Sequence, residues 1–465
     1  MRCAGMGIAQ SLWMGDRPKV PAPAQTGASA TMGRPFMTER MIDLTTPEER
    51  AFLIGLDNPR GGWPIRRSLA ELAALAESAG AEVVGSAFQR RSEADPGWYF
   101  GKGRAAELVT EKAASGFTVL IVDDELSAAQ QRNLEQLLDC KVLDRSALII
   151  DIFAQRARTR EGRLQVKLAQ LEYHLPRLTR MWTHLSRTGG GIGTRGGPGE
   201  SQLETDRRLI GEQIRKVRTE LESVKRHRAT ATRQRERKQV PTVALVGYTN
   251  AGKSTLLNAL ADAEVYAADM LFATLDPTSR QVVLPSGQHV VMTDTVGFIN
   301  KLPHDLVDAF RATLEEVLRA DLLLEVVDAS DPDFVGQQQA VQRVLDELGA
   351  GHKPRITVFN KIDLLDVGHD GVPMPGAARA AFVSATRGQG LPELLELVAA
   401  ALRDQMVVVD TVVPYERGEL VARARHSGDV TEQYGPAGVR ISGHLPAAIA
   451  GELDAIGRDA RGTRR

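Results

Sequence analysis

The chain has 465 residues, too many for one hydrophobic core, so roughly two to four domains are expected. Hydrophobic residues make up 43% and charged residues 25%, as in globular chains, and no apolar run reaches the length of a transmembrane helix. The two cysteines, Cys3 and Cys140, lie far apart, which excludes a disulfide framework or a cysteine-rich zinc cluster and suits the cytosol. A soluble, cytoplasmic, monomeric protein with no stable membrane insertion is the expectation.

Residues 1–45 are rich in Gly, Pro, Ala and Met, without periodicity and without the apolar core of a secretory signal. A disordered extension is expected, with Met37 or Met41 nearer the true start. Residues 46–145 then alternate strand and helix patterns. Strands are expected at 51–56, 82–88, 118–122 and 141–143. Helices are expected to open at Ser68-Leu-Ala-Glu71, a capping-box pattern closed by Gly80, and at 105–114 and 128–138. This predicts a small parallel α/β domain. Tyr99 to Arg104, with two glycines and two cations, reads either as a phosphate-contacting loop or as a simple turn.

Residues 146–239 carry two heptad seams. Leu164, Leu168, Leu171, Leu175, Leu178, Trp182 and Leu185 form the first, with Pro176 expected to kink or break it. Leu203, Ile210, Ile214, Val217, Leu221 and Val224 form the second. Between them, residues 188–199 hold seven glycines in twelve, a composition no helix survives. Two heptad helices joined by such a loop predict an antiparallel hairpin with a glycine-rich tip. Gly189, Gly190, Gly191, Gly193, Arg195 and Gly199 are its candidate contact residues. An inert linker is the alternative, although linkers seldom carry Arg and Ile. Arg207–Lys238 has twelve Lys/Arg against four Asp/Glu, and Ala154–Arg180 has seven against two. Such one-sided charge suits a polyphosphate partner, against the plainer reading of a solvated helix surface. Arg228–Lys238 reads as a basic connector.

Residues 240–404 hold the most specific signal. Pro241–Val246 reads as a buried strand. Gly247, Tyr248, Thr249, Asn250, Ala251, Gly252, Lys253 and Ser254 then fit the phosphate-loop pattern, with a helix from Thr255 onward. Glycines let backbone N–H groups close on phosphate, Lys253 reaches the β- and γ-phosphates, and the Ser254 hydroxyl can hold Mg²⁺. Asp294 ends another apolar strand and can hold Mg²⁺ through water, while the Gly297 N–H can meet the γ-phosphate. Thr274 is placed to reach both metal and γ-phosphate. Asn360, Lys361 and Asp363 follow a third strand, and a carboxylate there can accept both guanine N1–H and N2–H₂, which favours GTP over ATP. Ser384, Ala385 and Thr386 suit a backbone contact to guanine O6. Lys253, Thr274 and Gly297 are the expected catalytic residues, and Ser254, Thr274 and Asp294 the expected metal ligands. Phe298 stands where many GTPases place a water-orienting Gln, so unaided hydrolysis should be slow. Asn250 reads as a turn residue or, by likeness to potassium-activated GTPases, as a K⁺ ligand. Residues 405–465 predict a small α+β domain, with strands at 407–413, 420–424 and 438–441, a helix at 447–456 and a frayed basic tail.

Several of these stretches together resemble the HflX GTPases across about residues 45–456. They are Asp124–Glu135, the Gly189–Gly199 loop running into Glu200–Arg208, Gly247–Thr255, Phe272–Pro277, Asp294–Phe298 and Asn360–Asp363. The resemblance implies a GTPase that binds the large ribosomal subunit and splits stalled or idle ribosomes. It further implies a tip that reaches ribosomal RNA toward the peptidyl-transferase region. Nothing carries over to residues 1–45. The runner-up is a GTPase of ribosomal RNA maturation or RNA modification, and a nucleotide-independent RNA-binding scaffold is a second class.

Overall fold

Four short parallel strands begin the described part of the chain: β1 (Arg50–Asp57), β2 (Glu82–Arg90), β3 (Val119–Val122) and β4 (Lys141–Asp144), in the order β2-β1-β3-β4. The computed structural model describes residues 49–59, 63–180, 198–236, 240–261, 271–272, 274–301, 311–365 and 379–462. Residues 1–45 thus lie outside it. Helices α1 (Ile65–Ser78), α2 (Lys102–Ser115) and α3 (Ala128–Leu138) cross between the strands. Because side chains alternate along each strand, Leu53 and Ile121 meet α1 on one face, and Ile54 and Leu120 meet α2 and α3 on the other.

The expected capping box at Ser68 is not there. Helix α1 starts three residues earlier, behind Pro64, and the Ser68 hydroxyl instead donates to Asp123 (2.6 Å). A capping box does open α3, where Ser127 and Gln130 satisfy each other's backbone N–H groups. Tyr99 to Arg104 is a turn into a helix. Tyr99 and Phe100 are buried, Gly101 precedes α2, and Arg104 is taken up by Glu107 (2.7 Å) and Glu111 (3.0 Å).

Helix α4 (Arg145–Arg156) falls in the span read as the start of the hairpin, yet its Leu148, Ile149, Ile152 and Phe153 pack with Leu53, Leu72 and Ile121. The paired helices begin with α5 (Arg160–His174), capped by Thr159, whose hydroxyl accepts from Gly162 N–H (2.9 Å). Pro176 breaks the first seam as its missing N–H requires, and Leu175–Arg180 continues as a 3₁₀ turn. Helix α6 (Pro198–Glu236) has 39 residues, a length of about 58 Å. It takes in Pro198 and Gly199 and absorbs most of the expected connector, since nothing between Arg228 and Glu236 breaks a helix. The two seams meet: Leu168 packs with Ile214, Val217 and Leu221, flanked by Leu164, Leu171, Leu175 and Ile210. Trp182, Leu185 and the tip residues Gly189, Gly190, Gly191, Gly193 and Arg195 lie outside the described residues.

A six-stranded sheet follows, built from β5 (Thr242–Gly247), β6 (Thr278–Val283), β7 (His289–Asp294), β8 (Leu322–Asp328), β9 (Arg355–Asn360) and β10 (Ala380–Phe382), in the order β10-β9-β8-β5-β7-β6. Only β6 is antiparallel, joined to β7 through the Gly287 turn. Helix α7 (Lys253–Leu260) leaves β5. The chain ends in an antiparallel sheet of β11 (Val407–Val413), β12 (Asp429–Gly435) and β13 (Gly438–Leu445), in the order β11-β13-β12. The strand expected at 420–424 is instead part of helix Gly418–Ser427. Leu420, Val421 and Ala424 share its buried side, and so short an apolar run fits either period. The last helix, Ala447–Gly462, extends into the basic tail.

Leu221 is 6% exposed and sits where the two seams meet. Leu221→Ala should cost about 2–4 kcal/mol locally. Amide exchange in α5 and α6 should quicken while β5 stays protected.

Candidate nucleotide-binding site

Strand β5 lies between β7 and β8, where the strand order of the large sheet reverses, and a crevice at its carboxyl end is the expected ligand position. Gly247 ends β5 with φ +149°, and a Cβ there would strike the Val326 carbonyl. Gly252 has φ +91°, and a Cβ would strike the Asn360 amide. Both glycines are therefore required by backbone shape and by close approach. Helix α7 starts directly behind Gly252 with no side-chain cap, leaving its N-terminal dipole and N–H groups for an anion.

The cleft at this point has a volume of about 400 Å³. Thr249, Asn250, Gly252, Lys253, Ser254 and Thr255 line one end. Asn360, Lys361, Asp363, Ala385 and Thr386 line the other, and Thr274 and Gly297 form part of the wall between. Gly247, Tyr248, Ala251, Asp294 and Ser384 stand behind this lining. Ala251 accepts from Asn360 Nδ2 (2.9 Å), and Tyr248 turns its ring away from the cleft. Phe272, Thr295 and Leu364 also line the cleft, though none was singled out as a ligand-contacting residue. Their signal was only adjacency to Thr274, Asp294 and Asp363.

Lys253 is 6% exposed and donates to the carbonyls of Gly247 (3.1 Å) and Tyr248 (2.7 Å). Burial lowers its ammonium to about 8, opposed by the nearby Asp294 carboxylate. Burial in turn raises Asp294, with Lys253 and the Ser254 hydroxyl opposing. Asp294 Oδ2 accepts from Ser254 Oγ (2.6 Å), which also lies 2.8 Å from Thr274 Oγ1, while Asp294 Oδ1 is buried without a partner. One carboxylate and two hydroxyls around an unsatisfied oxygen fit Mg²⁺ held partly by phosphates better than an all-protein cage. Among the described residues no cluster of His, Cys, Asp and Glu competes with this set.

At the end of the cleft away from Lys253, Asn360 accepts from Ala385 N–H (3.1 Å). Ser384 Oγ donates to Asp363 Oδ1 (2.6 Å) and accepts from Arg387 N–H (3.2 Å). Lys361, at φ +64°, pairs with Asp328 (2.7 Å). The Asp363 carboxylate is thus held facing the cleft. Phe298 is 1% exposed and its backbone bonds to Gly247 and Thr249, so its ring offers nothing to a water molecule. Beyond Thr274, Asp276 accepts from the N–H groups of Arg158 (2.9 Å) and Thr159 (2.8 Å) and from Thr159 Oγ1 (2.5 Å).

Family models match in sequence: a GTP-binding GTPase N-terminal region at 66–154, a GTP-binding GTPase middle region at 156–235, and a 50S ribosome-binding GTPase at 242–361. The GTPase HflX of Caldanaerobacter subterraneus subsp. tengcongensis is 46% identical over 415 residues, covering 89% of this chain and 95% of that protein. The chain belongs to the HflX GTPase family. The Escherichia coli K12 HflX is also 46% identical, over 76% of this chain and 84% of its own. A crystal structure of a GTP-binding protein from Sulfolobus solfataricus with GDP covers 76% of this chain and 98% of its own at 22% identity. Its TM-score of 0.40 is too low to bear on the arrangement. As an HflX-family member this chain is a GTPase with a P-loop G domain that binds GTP and GDP, in a class that generally uses Mg²⁺. Among the described residues no helix is long and apolar enough to cross a membrane.

In the guanine contact expected of Asp363, Asp363→Asn would replace a second acceptor with a donor opposite N2–H₂. GTP affinity should fall by about 2 kcal/mol, roughly thirtyfold, and xanthosine triphosphate should become the better ligand in competition binding. Asn250, at φ +60°, is exposed at the phosphate end of the cleft. If its side chain holds K⁺, hydrolysis will be faster in potassium than in sodium at equal ionic strength, and Asn250→Ser will erase the difference. Equal rates would leave it a turn residue.

Proposed function

We propose that this GTPase binds the large ribosomal subunit and, with GTP bound, dissociates stalled or idle ribosomes, its 188–199 segment reaching ribosomal RNA. It acts as a cytoplasmic monomer. The observation that carries the reading is helix α6. Ile214, Val217 and Leu221 are buried against α5 while Arg207, Arg208, Arg215, Lys216 and Arg226 are exposed, which gives a stretch of α6 about 28 Å long an excess of exposed cations for RNA phosphates. Membership in a family whose G domain is described as 50S ribosome-binding supports the same partner.

In the cleft, Lys253 and the N–H groups opening α7 hold the phosphates, and Asp363 selects guanine. Ser254, Thr274 and Asp294 would hold Mg²⁺, which neutralises charge on the β- and γ-phosphates when bound. Gly297 N–H meets the γ-phosphate, where a Cβ would come within 2.9 Å of Thr249 Cα and 3.1 Å of Lys253 Nζ. With Phe298 buried, the water-orienting group must come from elsewhere, and the ribosome is the proposed source. GTP then works by favouring the conformation in which the tip and G domain dock together, which requires different ribosome affinities for the GTP and GDP forms.

Two measurements test this. Large subunits should raise GTP turnover by orders of magnitude, and a free protein already turning over at its stimulated rate would contradict it. Replacing residues 189–199 with a short turn should leave GTP binding intact and abolish dissociation, followed by light scattering of assembled ribosomes with a GTP analogue. Normal dissociation would reduce the hairpin to a spacer. Loss of stimulation with RNA binding retained would favour the RNA-maturation reading.

A further inference from the structure

Tyr248 lies inside the phosphate loop, yet its side chain works outside the cleft. The ring is 4% exposed and stacks against Trp63, with ring centroids 6.1 Å apart. Its hydroxyl makes two bonds of opposite sense. It accepts from the Asn300 N–H (2.7 Å) and donates to Glu71 Oε2 (2.8 Å). Asn300 belongs to the loop that leaves β7 and carries Gly297. The next residue, Lys301, reaches Asp123 (2.6 Å) and Asp124 (2.5 Å). Arg145 closes the set by pairing with Glu71 and with Asp123 (2.9 Å). Lys301 is therefore held directly by the carboxylates that follow β3, while Asn300 is held by the Tyr248 hydroxyl, which Glu71 of α1 holds in turn, so Tyr248 is the link that joins the phosphate loop to that grip.

We infer that Tyr248 is a positioning residue for GTP hydrolysis, with Glu71 acting through its hydroxyl to hold the Gly297 loop at the γ-phosphate end of the cleft. This rests on the proposed contact of Gly297 with the γ-phosphate. GDP has no γ-phosphate, so the position of this loop is felt by GTP alone. A phenylalanine keeps the ring and its stacking on Trp63 and removes both hydroxyl bonds. The loop then keeps the backbone bonds of Phe298 to Gly247 and Thr249 and its Lys301 anchor but loses the hold on Asn300, and a misplaced donor costs the transition state more than the ground state.

The test compares Tyr248→Phe, Glu71→Leu, the double variant and Gly297→Ala, using the full chain without ribosomes. Tyr248→Phe should lower kcat about tenfold, weaken a non-hydrolysable GTP analogue by a smaller factor, and leave GDP affinity within about twofold. The double variant should lose no more kcat than Glu71→Leu alone, which also leaves the buried Arg145 short of a partner, because Tyr248 and Glu71 act on the loop through one hydroxyl. An unchanged kcat, equal losses of GDP and GTP-analogue affinity, or additive losses in the double variant would each overturn the inference. Gly297→Ala separates the two claims. If it hydrolyses normally, the γ-phosphate role of the loop fails and the inference falls with it. If it is impaired while Tyr248→Phe is not, only the role given to Tyr248 fails.

Discussion

A carboxylate with no solvent exposure must be met by cations and donors, and Asp123 is met from three elements at once. Ser68 of α1, Arg145 of α4 and Lys301 of the loop after β7 all reach it. Arg145 is itself only 2% exposed, and Glu71, its second partner, is a carboxylate whose proton affinity burial raises while Arg145 and the Tyr248 hydroxyl oppose. Removing one member of such a cluster strands a buried charge at a cost of about 3–5 kcal/mol. Each member therefore depends on the others being in place. The small sheet and the G domain share that dependence, because the cations come from both. The crevice at the carboxyl ends of β1 and β3, where the order of the small sheet reverses, is occupied by a lysine of the G domain.

Apolar packing reinforces this. One continuous core runs from Leu53 and Ile121 through α4 to Phe272, Leu275 and Phe298 around the nucleotide cleft. Phe153 meets Phe272 edge-on at 4.6 Å. Helix α4 is buried along much of its surface because it has the small sheet on one side and the G domain close by. That explains why reading it with the hairpin was mistaken. A helix apolar on several faces carries no stripe to show which neighbour it belongs with.

The phosphate loop was legible because its constraints are local. Gly247 and Gly252 are fixed by backbone shape, Lys253 and Ser254 follow at set spacing, and the strand before and helix after are visible in periodicity. The buried parallel strands were legible as short apolar runs, and the packed part of the two seams by its spacing of three to four residues. The side-chain direction of Tyr248 was not, because its partner lies 177 residues away and no spacing records that. Ser68 and Glu71 have the spacing of a capping box but answer to Asp123, Arg145 and Tyr248 instead. Near the C-terminus, the polar strand β12 was missed and the apolar run 420–424 misread, because pairing with β13 and burial of one helix side outweighed local composition.

Asp276 gives the hairpin a mechanical root. Thr274 and Asp276 are two residues apart, so their Cα atoms can separate by at most about 7 Å. Asp276 is tied by three hydrogen bonds to Arg158 and Thr159, the residues from which α5 springs. The segment facing the nucleotide is thus on a short leash whose far end is the base of a long lever. It can shift within the slack of two residues at no expense to the hairpin. To swing clear of the cleft it must first give up those bonds, one of them donated by the same Thr159 hydroxyl whose oxygen caps α5.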